Sequence, residues 1–364
     1  MPPVNHSLNH PDIHSPWSEW SEDQTLHVAV CYSNPFRWRT RRELANNCIR
    51  HLRNSPNVKV YVGELAYGAR PFEIAEDIGH FVRPIVSIPL RTTCELFHKE
   101  DIANRVIQNF DVGWKYGAMI DADFHFTRHD WALETIHQLQ HYDFVQCFSS
   151  YADLSGNIYG QKNLPVHYNS GFFFNYHQNG FEVSPVFHNS NVPNGVVDED
   201  GYEGAMFRRG VGATGGAIAF RKTAFDAVGG FPNRCILGHA DWYVAYSLVG
   251  IQPPDIHTQN YHPDYKHYVE SWRERAQVIK KNVGYVDGHA NHFFHGSKTR
   301  RAYSSRDKIL AKHQYSPYTD VFPDSQGILQ LTPNKPALRD EIRQYFVSRT
   351  EDDPNLYGSE RPLV

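Results

Sequence analysis

Two acids one residue apart close an apolar run in "KYGAMIDADFHF", residues 115–126. Asp121 and Asp123 repel each other at that spacing unless positive charge lies between or beside them. A metal ion, a lysine or water could each relieve the repulsion. If the run continues as a strand, both acids point to one face while Ala122 points away. The carboxyl edge of a sheet is where α/β proteins bind ligands. There the pair would reach one hard cation, Mg²⁺ or Mn²⁺, of the kind that links carboxylates to substrate phosphates. The plain alternative is a solvated acidic turn.

Three further groupings have the right residue types. In "HANHFFHGS", His289, His292 and His295 recur every three residues, and imidazole from a distant segment suits Mn²⁺ or Zn²⁺ as a further ligand. Ordinary packing in a histidine-rich chain reads equally well, and neither H-E-x-x-H nor a cysteine pair supports a zinc site. "GGFPNRCILGHADW" sets Asp241 near the start of a helix, either as a general base or as an N-cap. Basic residues cluster after the first apolar run (Arg37, Arg39, Arg41, Arg42) and in "GSKTRRAYSSR" (Lys298, Arg300, Arg301, Arg306). Arginines beside a strand end suit diphosphate, and the interleaved Trp38 and Tyr303 offer rings for stacking on bases. Solvated charged faces are the ordinary reading of such runs.

The elements that must position these groups follow from periodicity. Leu26–Cys31 reads as a buried strand closed by Ser33, Asn34 and Pro35; Leu44, Cys48, Ile49 and Leu52 share a helical face; "SPNVKVYVGEL" supplies a turn and a second strand. Strand, helix and strand in this order form the βαβ unit of a parallel sheet. A helical stripe over Ile102, Ala103, Val106, Ile107 and Phe110 precedes the strand at 116–120. A helix over 131–140 with Asp130 as its cap and a strand in "DFVQCF" come next. Residues 151–212 lack periodicity and read as long loops over a site. "TGGAIAFRKTAFDAVGGF" then gives a strand and a short helix stopped by Gly229 and Gly230, and a helix over 241–249 follows. Leu338, Ile342, Tyr345 and Phe346 mark a last amphipathic helix.

The whole-chain properties narrow the class. A net charge of −4 gives no global attraction to nucleic acid, and the five scattered cysteines without a C-x-x-C pair read as reduced intracellular thiols. No run approaches the roughly 18 apolar residues of a membrane span, and the polar arm over 1–25 lacks signal-peptide character. The expectation is a soluble cytoplasmic protein without a membrane partner. P-loop, G-x-G-x-x-G and G-x-S-x-G patterns are absent, which argues against NTPase, dehydrogenase and hydrolase chemistry.

Taken together, the motifs resemble the GT-A glycosyltransferases over residues 26–353. "HKEDIANRVIQNF" followed by "WKYGAMIDADFHF" is similar to the family's K-E-x-x-x-N helix and D-x-D strand; "TGGAIAFRKTAFDAVGGF…GHADW" resembles its acceptor-side block; "HFFHGSKTRRAYSSRDKIL" resembles an H-x-x-H-G-S…R-x-Y-x-x-R element. With "YFVSRTEDD" at the end, the set is most similar to phage and bacterial members of the TET/JBP-associated, base J DNA glucosyltransferase-like group. Ala240-Asp241 departs from the two acids or Gly-Asp of many members.

The resemblance implies an α/β GT-A fold, a mostly parallel central sheet flanked by helices with a Rossmann-like nucleotide-sugar domain. It divides the chain into a polar arm (1–25), a glycosyltransferase domain (26–300, halves 26–125 and 126–300) and a C-terminal helical extension (301–364). The implied activity is metal-dependent transfer from a UDP-sugar, UDP-glucose or similar, to 5-hydroxymethylpyrimidine in DNA. If the protein is phage-encoded, the expected location is the cytoplasm of the host cell. Asp241 is the implied base, and Asp121, Asp123 and His295 (or His292) the implied ligands of Mn²⁺ or Mg²⁺. Asn34, Arg39, Arg42, Lys99, Asn104, Asp121, Gly215 and Gly216 are the expected donor contacts, and Arg300, Arg301, Tyr303 and Trp242 the expected acceptor or DNA contacts. A transferase acting on a surface glycan or protein, and a non-catalytic glycan- or nucleic-acid-binding protein, are the alternatives.

Overall fold

The computed structural model describes residues 24–74, 85–156, 164–178, 212–253, 256, 259–303 and 305–353. The arm expected over 1–25 and much of the 151–212 stretch therefore lie outside the described residues.

The first half is built as the periodicity requires. Strand β1 (Leu26–Ser33) leads into helix α1 (Arg39–Asn54), which buries Ala45, Cys48, Ile49 and Leu52, and then into β2 (Val58–Tyr67). Strand β3 (Val86–Thr92), helix α2 (Lys99–Ile107) and β4 (Tyr116–Ile120) follow, and all five residues of β4 are buried. Burial on both faces is what central parallel strands under helices require. After β5 (Phe124–Phe126) comes α3 (Trp131–Leu139), and β6 (Phe144–Gln146) completes this part. Asp130 stands at the N-cap position of α3 without making a side-chain cap. Its carboxylate is taken instead by Arg128, at 2.7 and 2.9 Å.

The aperiodic stretch contains more order than expected: β7 (Ser150–Leu154), β8 (Pro165–Ser170) and α4 (Phe172–Gln178). Then come β9 (Ala217–Arg221), α5 (Lys222–Val228), α6 (Ala240–Leu248) and α7 (Pro263–Ala276). Gly229 ends α5 at a φ of 77°, as its diglycine suggested. The remainder comprises β10 (Val283–Tyr285), β11 (His289–His292), α8 (Lys298–Arg301), α9 (Lys308–Lys312), β12 (Val321–Pro323), β13 (Leu329–Leu331) and α10 (Pro336–Ser348).

Seven strands form the central sheet in the order β10-β6-β9-β4-β1-β2-β3, and β9 alone runs antiparallel to its neighbours. From β1 the chain winds outward through β2 to β3, then returns to lay β4 on the other side of β1. The crevice outside the carboxyl ends of β1 and β4 is thus a topological switch point, the place where such sheets take ligands. A second sheet, β5-β11-β7-β8, stands beside it. Its register sets His292 opposite both Phe124 and Asp153. The segment after 301 shares an apolar core with α6 and α7, through Leu310, Tyr315, Leu338 and Ile342 against Tyr243 and Tyr265.

Candidate active site

The strand reading of the paired acids fails one residue after β4. Asp121 N–H donates to Gly216 O at 2.8 Å, extending the pairing with β9, but Phe124 N–H then donates back to Asp121 O at 3.1 Å. Residues 121–124 form a tight turn, so the two carboxylates do not share one strand face. Gly216 makes the turn possible: its φ is +92°, and a Cβ there would lie 2.9 Å from the Phe124 ring. At Gly215 a Cβ would lie 2.6 Å from Asp241 Oδ2. The two glycines let Asp241 and the acidic turn approach each other.

Each acid of the turn has its own positive partner. Lys99, the first residue of α2, places Nζ 3.0 and 3.4 Å from the oxygens of Asp121. Asp123 faces the histidines instead: His295 Nδ1 lies 3.1 Å from Oδ2 and His292 Nε2 3.7 Å from Oδ1. One ligand atom from each of Asp123, His292 and His295 falls within 4.8 Å of the others. Asp123 Oδ1 is buried without a hydrogen-bond partner among the described residues. An orphaned carboxylate oxygen beside two imidazoles fits a cation, and the mixed nitrogen and oxygen donors suit Mn²⁺ better than Mg²⁺.

The two histidines are not equivalent. His292 Nδ1 donates to Asp153 Oδ1 at 2.6 Å, which leaves the Nε2 lone pair facing Asp123. This is the carboxylate–histidine arrangement that orients metal ligands. Burial opposes charge on His292, yet the Asp153 hydrogen bond and the charges of Asp123 and Asp153 raise its pKa. His295 Nε2 accepts from Arg301 Nη1 at 2.7 Å; a guanidinium only donates, so the His295 proton sits on Nδ1. Burial and the neighbouring Arg301 hold this ring well below its ordinary pKa.

Across the cleft, Asp241 is the second residue of α6. His239, at φ 68°, holds the N-cap position, so the simple cap reading of Asp241 does not apply. Thr214 Oγ1 donates to Asp241 Oδ2 at 3.3 Å. Burial would raise the Asp241 pKa, but Lys99, Arg306 and His239 together hold it below the ordinary carboxylate value. Beneath the cleft, burial pushes Glu100 up to about 7 against the pull of Lys99. The whole cleft has a volume of about 480 Å³ and is also lined by Trp242 and Tyr303.

A second charged triad forms one wall. Glu351, fully buried, accepts from Arg41 Nε at 3.0 Å and Nη2 at 2.5 Å, and Arg349 Nη2 lies 2.7 Å from Oε1. Next to it, Asp352 accepts from the N–H groups of Arg39 and Thr40 at 2.7 and 2.8 Å. Helix α1 has no cap from its own N-cap residue, Trp38, so the far end of the chain supplies one.

Several expected contacts are engaged elsewhere. Asn34 bonds within its own turn, donating to Trp38 O and accepting from Trp38 N–H, both at 2.9 Å. Arg39 is 72% exposed and reaches Glu43, and Arg42 is exposed; the cleft receives Arg41 from this cluster. Asn104 clamps the backbone of Phe231, donating and accepting at 2.9 Å, and thereby fixes the diglycine loop. Arg300 ties down Thr350 at 2.6 Å, and Arg301 is buried against His295 and Tyr303. Arg301 is thus buried, while Arg300 keeps 40% of its side chain exposed. Sequence reasoning missed Asp153, and it quoted Arg349 and Glu351 only within "YFVSRTEDD", without giving either a role.

No known protein family matches the chain in sequence, and no curated protein does. Solved structures resemble it loosely. One is a nucleotide-diphospho-sugar transferase from Desulfovibrio desulfuricans, 13% identical over 88% of this chain and 98% of that one, with a TM-score of 0.33. Another is a 4-diphosphocytidyl-2C-methyl-D-erythritol synthase from Anaerococcus prevotii, 12% identical over 73% and 88%, with a TM-score of 0.32. A third is a Drosophila beta-1,4-galactosyltransferase 7 mutant in complex with manganese, UDP-Gal and xylobiose, 13% identical over 64% and 66%, with a TM-score of 0.28. At TM-scores of 0.33 and below these likenesses do not bear on activity or substrate.

Proposed function

We propose that this protein is a GT-A-type glycosyltransferase that uses a divalent metal, most suitably Mn²⁺, to transfer a sugar from a UDP-sugar to an acceptor hydroxyl. The observation that carries the reading is the orphaned Asp123 oxygen beside two imidazoles, at the sheet's switch point and across a cleft from Asp241. Asp123 and His292 would hold the cation, with His295 beside them. A bound metal ion would supply Lewis-acid stabilisation of the departing diphosphate. Asp153 holds the His292 ring in place, and Lys99 neutralises Asp121 so that the acidic turn stays folded. Asp241, held ionised by the surrounding cations, takes the proton from the acceptor hydroxyl if the anomeric centre inverts.

The test is Asp241→Asn assayed with a panel of UDP-sugars and Mn²⁺. Turnover is expected to fall by about 10²–10⁴-fold, with UDP affinity unchanged; equal losses in turnover and UDP affinity would remove Asp241 from the chemistry. The DNA acceptor implied by the family resemblance draws no support from Arg300 or Arg301, whose partners lie within the protein. Nucleoside mass spectrometry after incubation with hydroxymethylated DNA decides that point directly.

A further inference from the structure

Arg306 is one of the cations that keep Asp241 ionised, and that role leaves its hydrogen-bond donors unused. It is 6% exposed and lines the cleft. Among the described residues its only hydrogen bond from the side chain is a long one, Nη1 to Tyr345 Oη at 3.5 Å, and its Nε has no partner. A guanidinium has five N–H donors, and leaving the buried Nε unsatisfied is costly. The site is nevertheless built around this group. Its carbon lies 4.8 Å from the centre of the Tyr303 ring and 5.6 Å from that of Phe97. Gly238, at φ +94°, makes room for it, since a Cβ there would come within 2.6 Å of Nη2. That glycine stands three residues before Asp241, so the guanidinium sits beside the proposed base, at the N-terminal end of α6. No ion pair among the described residues joins it to a carboxylate.

We propose that Arg306 is the anchor of an acceptor subsite for an acidic sugar, one that carries a carboxylate or phosphate of its own. The oxyanion would lie against the Arg306 fork, Trp242 would face the ring, and the reacting hydroxyl would lie toward Asp241. This deepens the glycosyltransferase reading and rests on it. The other source of oxyanion in the cleft is the donor diphosphate, which the proposed function assigns to a cation that Asp123 and His292 would hold.

The experiment is calorimetric and uses the full chain. UDP is titrated first with Mn²⁺ present; glucuronate and glucose are then titrated separately into the UDP-saturated protein. Glucuronate is expected to bind at least about tenfold tighter than glucose, the worth of a hydrogen bond to a charged group. Arg306→Gln is expected to erase that preference while UDP affinity stays within about twofold. Survival of the preference in Arg306→Gln, or its absence from the wild type, overturns the proposal. Loss of UDP affinity in a folded Arg306→Gln also overturns it, by returning the arginine to the donor. If the wild type fails to bind UDP, the donor reading falls, and the glucuronate preference is measured on the free protein. Should Arg306→Gln not fold, Arg306→Lys replaces it, with a reduced preference expected and an unchanged one overturning the proposal.

Discussion

Two buried charged triads face the same cleft, and they differ in one respect. In Arg41–Glu351–Arg349 both oxygens of the central acid are occupied by guanidinium donors. In His292–Asp123–His295 one oxygen of the central acid has no hydrogen-bond partner among the described residues. A buried charge that the protein pairs fully is part of the frame. One that it leaves open, at the mouth of a sheet, is waiting for a ligand. The first triad should therefore answer to stability measurements, and the second to metal and donor binding.

The sharpest way to break this contrast is Asp123→Ala. It removes a ligand and no core side chain, so transfer and Mn²⁺-dependent UDP binding are expected to vanish while the melting temperature holds. Full activity in this variant, or in EDTA, would make the second triad as structural as the first. Next in size is Glu351→Ala, which strands two arginines. Breaking a buried pair costs about 3–5 kcal/mol, and the 22% exposure of Arg41 points to the lower end of that range. The denaturation midpoint is the measurement, and an unchanged value would refute the structural role. His292→Ala is then expected to weaken Mn²⁺ binding by about 10–100-fold. His295→Ala should do less, because Arg301 already occupies its Nε2. The reverse order would make His295 the principal ligand. The smallest effect belongs to Asp352→Ala, which uncaps α1 at a cost of about 0.5–2 kcal/mol and should leave Mn²⁺ affinity unchanged.

What the sequence revealed depended on whether local periodicity or distant pairing set the structure. Strand β4 and its two acids were legible because five consecutive residues are buried and the charge change is abrupt. Lys99 was legible as a residue of the site, but its task was not. Nothing local says that a lysine 22 residues away neutralises Asp121. Asp153 was hidden because β7 and β8 are short and only partly buried, so they show neither a clear alternation nor an apolar run. Its signal was a carboxylate inside "SYADLSG", meaningful only once β11 lies alongside. Arg306 stood in the basic cluster, where spacing could not separate a solvated arginine from a buried one.

The cap that Asp352 places on α1 joins two parts of the chain that leave the ribosome at very different times. Helix α1 is among the first elements made, and the acid that finishes it comes 313 positions after Arg39. Proteins fold from the N-terminal side as they are synthesised, so α1 must wait with its first N–H groups open until residue 352 emerges. The pairing of Arg41 with Arg349 through Glu351 is completed at the same moment. A nascent chain arrested before that point would hold the whole seven-stranded sheet and the residues that line the cleft, yet Arg41 and Arg349 would lack the acid that pairs them. The last described turn thus fastens the first helix of the sheet from a point far along the chain.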